Sequence, residues 1–245
     1  MSYHKIMETE QFVTIPKMNL AETGLSANDL VTYAYLRRHY NSESKDCYPS
    51  IALLAQESGL TKNTLTESIS KLEKAGYISV DRSKKYNRYT FSEFKKFDIY
   101  SFEFLDNKDL PTTVKAAILL LQPEAYINPD LGIAKISYSV TDLAKRLNID
   151  VRTLRKYEKY LKETNPPIMT VATTKKRDPE TGLMIQERIL DIEKYFNLII
   201  CKLQQQDEAI KQNERDIKVL QNTVQSLQKQ LEKYEKKAMA DVILD

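Results

Sequence analysis

The apolar positions of this chain change period several times, and each change marks an element. Phe12-Val-Thr-Ile-Pro16 alternates as a short strand does. Ser26-Ala-Asn-Asp29 is spaced as a capping box, and Leu30, Val31, Ala34 and Tyr35 then form one helical stripe. A second short helix is predicted from Ser50 through Ile51, Leu54 and Ala55 to Gly59. Thr61 is a good N-cap for a third, whose Leu65, Ile69 and Leu72 fall at i, i+4 and i+7. Gly76 stands where a helix ends in left-handed backbone. Tyr77 to Val80 and Tyr89 to Phe91 read as a strand pair around a basic loop, Arg82 to Arg88.

The same order returns further along. A helix is expected after Asp109-Leu-Pro111, with proline at an early helical position. A short helix follows from Val140 and a third from Asp150 to Leu161, then a hairpin of Ile168 to Thr173 and Met184 to Ile192. Three helices followed by a hairpin is the order of a winged helix. In the turn between two such helices a small residue is needed where they touch, and a residue tolerant of positive φ at the bend. An aliphatic residue must also face inward from the second helix. Ala55, Gly59 and Leu65 meet these requirements, and Ala144, Asn148 and Leu154 meet them again. Ile51 and Val140, Leu54 and Leu143, Leu60 and Ile149, and Leu72 and Leu161 share the same offset of 89 residues.

From Phe196 the period becomes seven. The a positions are Phe196, Leu203, Ile210, Ile217, Val224 and Leu231, and the d positions are Ile199, Gln206, Asn213, Leu220, Leu227 and Tyr234. No glycine or proline interrupts this stretch. β-Branched residues at a with leucine at d favour a parallel two-stranded coiled coil, with Asn213 and Gln206 fixing register. The expected fold is therefore mainly α with small β-wings. Tandem winged helix-turn-helix domains, residues 1–106 and 107–195, precede a coiled coil over 196–238 and a tail at 239–245. Leu203, Ile210, Asn213, Ile217, Leu220, Val224, Leu227, Leu231 and Tyr234 are the expected dimerisation residues.

Composition alters this picture little, and charge distribution alters it more. The chain has 245 residues, 42% hydrophobic and 29% charged, which suits a soluble protein with a long charged helix. No run of about 18 apolar residues occurs, so no membrane span is expected. Met1 to Glu10 lacks the apolar core of a secretory signal. Cys47 and Cys201 are far apart, which suits a reducing cytoplasm. With His4 and His39 they form no metal-ligand pattern, so no metal is expected. There is no phosphate-cradling glycine loop and no Ser/His/Asp set, so neither a cofactor nor an enzymatic activity is expected. Acidic and basic residues balance after Phe196, so the net +3 belongs to the earlier part. There, Arg82 to Lys96 holds six basic residues against Glu93 alone, and Lys175-Lys176-Arg177 forms a second cluster. Such patches attract phosphate.

Leu72-Glu-Lys-Ala-Gly-Tyr-Ile78 resembles the junction of recognition helix and wing in many bacterial winged-helix proteins. Phe12 to Pro16, Leu25-Ser26 and the Ser50 to Ile78 core resemble the helix-turn-helix domain of plasmid and phage replication proteins. The duplication resembles the two-domain architecture of iteron-binding plasmid initiators. The resemblance implies a sequence-specific protein of double-stranded DNA, acting in replication initiation or origin binding. A dimeric transcriptional regulator or a partition protein that binds centromeres shares the same chemistry, and a protein-interaction scaffold is a third reading. It implies further that the third helix of each unit enters the major groove. The expected contacts of the first unit are Thr61, Lys62, Asn63, Thr66 and Ser70, with Lys84, Lys85, Tyr86 and Arg88 at the hairpin. Those of the second are Arg152, Thr153, Arg155, Lys156 and Lys159, with Lys175, Lys176 and Arg177 on the wing. Arg152 or Arg155 is the expected reader of guanine. Duplex DNA, a second copy of the chain and a replication or regulatory protein are the expected partners.

Overall fold

Strand β1 (Phe12–Pro16) buries Val13 and Ile15 and pairs antiparallel with β4 (Phe97–Ser101), Val13 opposite Tyr100 and Ile15 opposite Asp98. The computed structural model describes residues 12–83, 86–128, 131–177, 182–191 and 209–230. The chain forms two compact units, residues 1–200 and 201–245.

Between those two strands lie four helices and a hairpin. Asn19 caps the single turn α1 (Leu20–Thr23), which ends at Gly24. Helix α2 (Ala27–Arg38) starts where the capping box places it: the Asp29 carboxylate accepts from the Ser26 amide at 2.7 Å and the Ser26 hydroxyl at 2.8 Å. The single stripe expected for α2 is too narrow. Leu30 to Leu36 are all buried, because the helix is central and is packed against from several sides. Ser50 caps α3 (Ile51–Ser58), and Thr61 caps α4 (Lys62–Lys74). Strands β2 (Ile78–Asp81) and β3 (Arg88–Phe91) form the hairpin, from Ile78 opposite Phe91 at its base to Asp81 opposite Arg88.

After β4 come α5 (Phe102–Asp106) and α6 (Thr112–Leu121), the latter running into a 3-10 turn at Gln122–Glu124. Pro111 is the N-cap of α6 and stands just outside the helix. The expected boundary near Asn107 falls between α5 and α6. Strands β5 (Tyr126–Asn128) and β6 (Ile133–Tyr138) follow, then α7 (Val140–Arg146), α8 (Val151–Lys162), β7 (Met169–Arg177) and β8 (Met184–Asp191). The four strands form one antiparallel sheet in the order β5-β6-β8-β7. The second hairpin is thus longer than expected and is flanked by two strands that were not expected.

Those added strands have a counterpart in the first half. Cys47, in the connection between α2 and α3, exchanges backbone hydrogen bonds with Tyr89 of β3 at 3.0 and 2.8 Å. Ile136 of β6, 89 positions later, pairs with Arg188 of β8. The internal match therefore extends to the backbone pairing beside each hairpin, an isolated bridge at Cys47 and a full strand at β6.

Helix α6 packs on α2 and on α8, where its apolar residues Val114 and Ala116 to Leu121 are buried. Lys115 is buried among them and donates to the Leu105 carbonyl at 2.5 Å and to the Tyr35 hydroxyl at 3.2 Å. Among the described residues no carboxylate pairs with Lys115, and burial lowers its pKa.

In the second unit residues 209–230 are helical (α9) and exposed throughout. Ile210, Ile217, Leu220, Val224 and Leu227 are each 51–63% exposed, an uncovered apolar row at heptad spacing. Asn213 lies on the same helix; Leu203, Leu231 and Tyr234 lie outside the described residues.

Candidate nucleic-acid interface

The bend between α3 and α4 is set by Gly59 at φ 71°, whose amide closes onto Ala55 O at 3.1 Å. A Cβ on Gly59 would stand 2.5 Å from Thr112 Oγ1, so both backbone sign and space call for glycine. That Thr112 hydroxyl donates to Ser58 O at 2.7 Å and ties α6 to the bend. Between α7 and α8 the corresponding residue, Asn148, has φ 52°. Leu54, Leu65 and Leu72, with their matches Leu143, Leu154 and Leu161, are fully buried. The spacing read from sequence thus marks a packed helix pair in both places.

On α4 the exposed side chains are Lys62, Asn63, Thr66, Glu67, Ser70, Lys71 and Lys74. Thr61 is exposed, but its hydroxyl is engaged as the cap, accepting from Thr64 N at 3.1 Å. Thr66 donates its own to Lys62 O at 2.9 Å. In the hairpin loop Tyr86 is exposed, whereas Lys84 and Lys85 lie outside the described residues. Arg88 is the first residue of β3, not a loop residue, and its guanidinium is ion-paired with the buried Asp46. Arg82 forms a two-bond fork on Glu73, at 2.9 and 2.6 Å, which holds the Glu73 carboxyl below its usual range.

The face of α8 is more uniform. Its exposed residues are Val151, Arg152, Arg155, Lys156, Lys159 and Lys162, so every one but Val151 is basic. Lys162 was not among the expected contacts, although it continues the spacing of Arg155 and Lys159. Among the described residues the Arg152 guanidinium forms no salt bridge. Lys156 reaches toward the Tyr160 ring at 5.8 Å, and Lys159 makes a loose pair with Glu163 at 3.7 Å. Thr153 is taken up in capping: its amide and hydroxyl both donate to Asp150 at 2.8 Å, which lowers the pKa of that carboxyl.

Arg155 differs from its neighbours. It donates to Glu158 Oε2 at 3.0 Å and to Gln186 Oε1 of β8 at 3.2 Å. The other oxygen of Glu158 receives Arg188 Nε at 2.6 Å, and both of those side chains are wholly buried. Arg155 is thus anchored between the helix and the hairpin. On β7, Lys175, Lys176 and Arg177 are exposed residues of the strand, with Arg177 bonded across to Gly182 O at 3.0 Å.

Cys47 is buried, its thiol pushed up to about 12 mainly by burial, and His39 pairs with Glu57 at 2.6 Å. Among the described residues no group of His, Cys, Asp and Glu is placed to hold a metal ion, and no helix is long and apolar enough to cross a membrane.

Residues 23–78 match the family described as helix-turn-helix domain. This helix-turn-helix match runs from the end of α1 to the start of β2 and contains Gly59 and every α4 residue named above. No curated protein matches the chain. Among solved structures 22 chains match. One is the crystal structure of Pi initiator protein in complex with iteron DNA, 11% identical, covering 76% of this chain and 98% of that chain at a TM-score of 0.44.

Proposed function

We propose that the protein binds double-stranded DNA in a sequence-specific manner through two winged helices, at a replication origin of a plasmid or phage. The reading is carried by the exposed face of α8, which holds five basic residues and Val151. A helix with that face, entered through a tight turn and followed by a hairpin with a basic edge, fits the major groove with its wing on the flanking phosphates. The helix-turn-helix match over residues 23–78 supports the same use of α4, where Lys62, Asn63, Thr66 and Ser70 offer hydrogen bonds to base edges. Arg152 is the free candidate for guanine, and Arg155 acts from its anchored position. The motif resemblance to replication proteins supports the origin. No cofactor, metal or catalytic step enters this reading, and the protein acts in the cytoplasm.

A dimeric regulator or centromere binder is favoured by a separate observation, the apolar row of α9. A parallel coiled coil covering that row would place two DNA-binding bodies on paired half-sites. Sequencing DNA fragments selected by the full-length protein tests both readings. Direct repeats at a spacing near one helical turn support origin binding, and inverted repeats support the dimeric regulator. Recovery of no enriched sequence refutes specific binding.

A further inference from the structure

A cavity of about 400 Å³ lies between the end of α2, strand β1 and the segment that follows β3. Its size falls within the range of small-molecule sites. Tyr40, Phe91, Phe94 and Phe97 give it an aromatic lining, and Tyr33 and Tyr40 both meet Phe91 edge-on, at 5.5 and 5.6 Å between ring centroids.

The polar groups at this cavity are unbalanced. Arg37 lies 4.2 Å from the Tyr40 centroid and 4.8 Å from that of Phe91, and donates to Thr14 Oγ1 at 2.8 Å. Among the described residues no carboxylate pairs with it, so most of its five N–H donors are uncommitted. Lys45, held at φ 57°, also lacks an acidic partner among the described residues. Tyr33 is 2% exposed and lines the cavity. Burial pushes Tyr33 up to about 12, so the phenol keeps its proton at ordinary pH. Against these donors stands one carboxylate, the exposed Glu93. A half-buried guanidinium between two rings is complemented by a ligand that brings acceptor oxygens and a flat apolar body together.

The geometry points to a binding site for a small planar ligand carrying one carboxylate or phosphate. Arg37 and Lys45 hold the anion, and the Tyr40–Phe91 wall faces the ring. Phe91 belongs to the base of the β2–β3 hairpin, the opposite end from the basic loop, so the site is separate from the proposed DNA contacts. The inference does not depend on those contacts.

Isothermal titration of the full-length protein tests it with two classes of probe. Benzoate and indole-3-carboxylate present a carboxylate on a ring; adenosine and thymidine monophosphates present a phosphate. Adenosine and inorganic phosphate each supply half of the recognition. At least one class should bind with a dissociation constant below roughly 1 mM, the half-probes at least about tenfold more weakly. Arg37→Gln should weaken that binding by roughly ten- to a hundredfold, the range of a lost charge-assisted hydrogen bond. Lys45→Gln, on an exposed turn where folding is not at issue, should weaken it several-fold. The proposal is overturned if no ring-bearing anion binds in that range. It is also overturned if inorganic phosphate binds as well as the ring compounds, or if both variants retain full affinity.

Discussion

Replacing Glu158 by glutamine should destabilise the protein severely, and the reason can be worked from the surroundings of Arg188. That guanidinium is 0% exposed and is met by Glu158 Oε1 at 2.6 Å. Its other acceptors, Tyr138 O, Gln186 O and Gln186 Oε1, are neutral and each lies at 3.2 Å. Glutamine keeps the volume and one acceptor oxygen but leaves the buried positive charge uncompensated. Removing one partner of a buried pair costs about 3–5 kcal/mol, and the retained acceptor places this change near 3. At 2–4 °C per kcal/mol for a chain of this size, the midpoint should fall by about 6–12 °C. Replacing both residues by methionine removes both charges, and should leave the protein within about 1–2 kcal/mol of wild type. Thermal unfolding followed by circular dichroism reads all three proteins. A midpoint for Glu158→Gln within 2 °C of wild type, or a double variant no better than the single, would show that the buried Arg188 charge does not depend on Glu158.

The other changes separate backbone, burial and assembly. Gly59→Ala places a Cβ 2.5 Å from Thr112 Oγ1 in left-handed backbone and should cost about 1–3 kcal/mol, whereas Asn148→Gly should stay within about 0.5 kcal/mol; denaturant unfolding compares them. Burial lowers Lys115 below its ordinary 10.5, so between the folded value and 10.5 the unfolded chain binds the extra proton and stability rises with pH. Burial raises Tyr35 and Cys47 to about 12, so both keep their protons in the folded chain and oppose that rise above roughly pH 9. The Lys115 contribution is therefore read as the difference between wild type and variant. Lys115→Met should abolish the rise while Tyr35 still donates to Leu105 O at 2.7 Å, and melting curves from pH 7 to 10 would detect a rise that persists. If α9 pairs with a second copy, Ile217→Lys should convert a dimer to a monomer in light scattering at micromolar concentration; an unchanged mass would count against the coiled coil.

The helix starts were legible because capping is local chemistry. Ser26 with Asp29, Ser50, Thr61 and Asp150 each announce a helix within four residues, and each is the observed cap. Gly59 and Asn148 were legible because only a few residue types accept positive φ. Long-range pairing was not. Strands β4 and β6 pair with β1 and β8, far along the chain, and β5 is only three residues long. Yet Ala134 and Ile136, the buried alternate residues of β6, do carry a strand signal. Glu158 shares a helix face with Leu154 and Leu161, so a core-facing carboxylate could be read from spacing. That its partner is Arg188, 30 residues on, could not. Of the candidate contacts, sequence identified the basic residues of α8 apart from Lys162. It gave no sign that Arg88 is held by Asp46, or Arg155 by Glu158 and Gln186.

If α8 presents its basic face to duplex DNA, as proposed, binding must weaken steeply with salt through contacts made by that face. Affinity for a duplex should be measured from about 50 to 200 mM salt, for wild type and for Arg152→Gln/Lys156→Gln/Lys159→Gln. Each phosphate contact contributes about 0.9 to the slope of log K against log salt, so the triple variant should lose about 2–3 units of slope. It should melt as wild type does, since all three side chains are exposed. A slope and affinity equal to wild type, or duplex binding that does not respond to salt at all, would show that α8 makes no phosphate contacts.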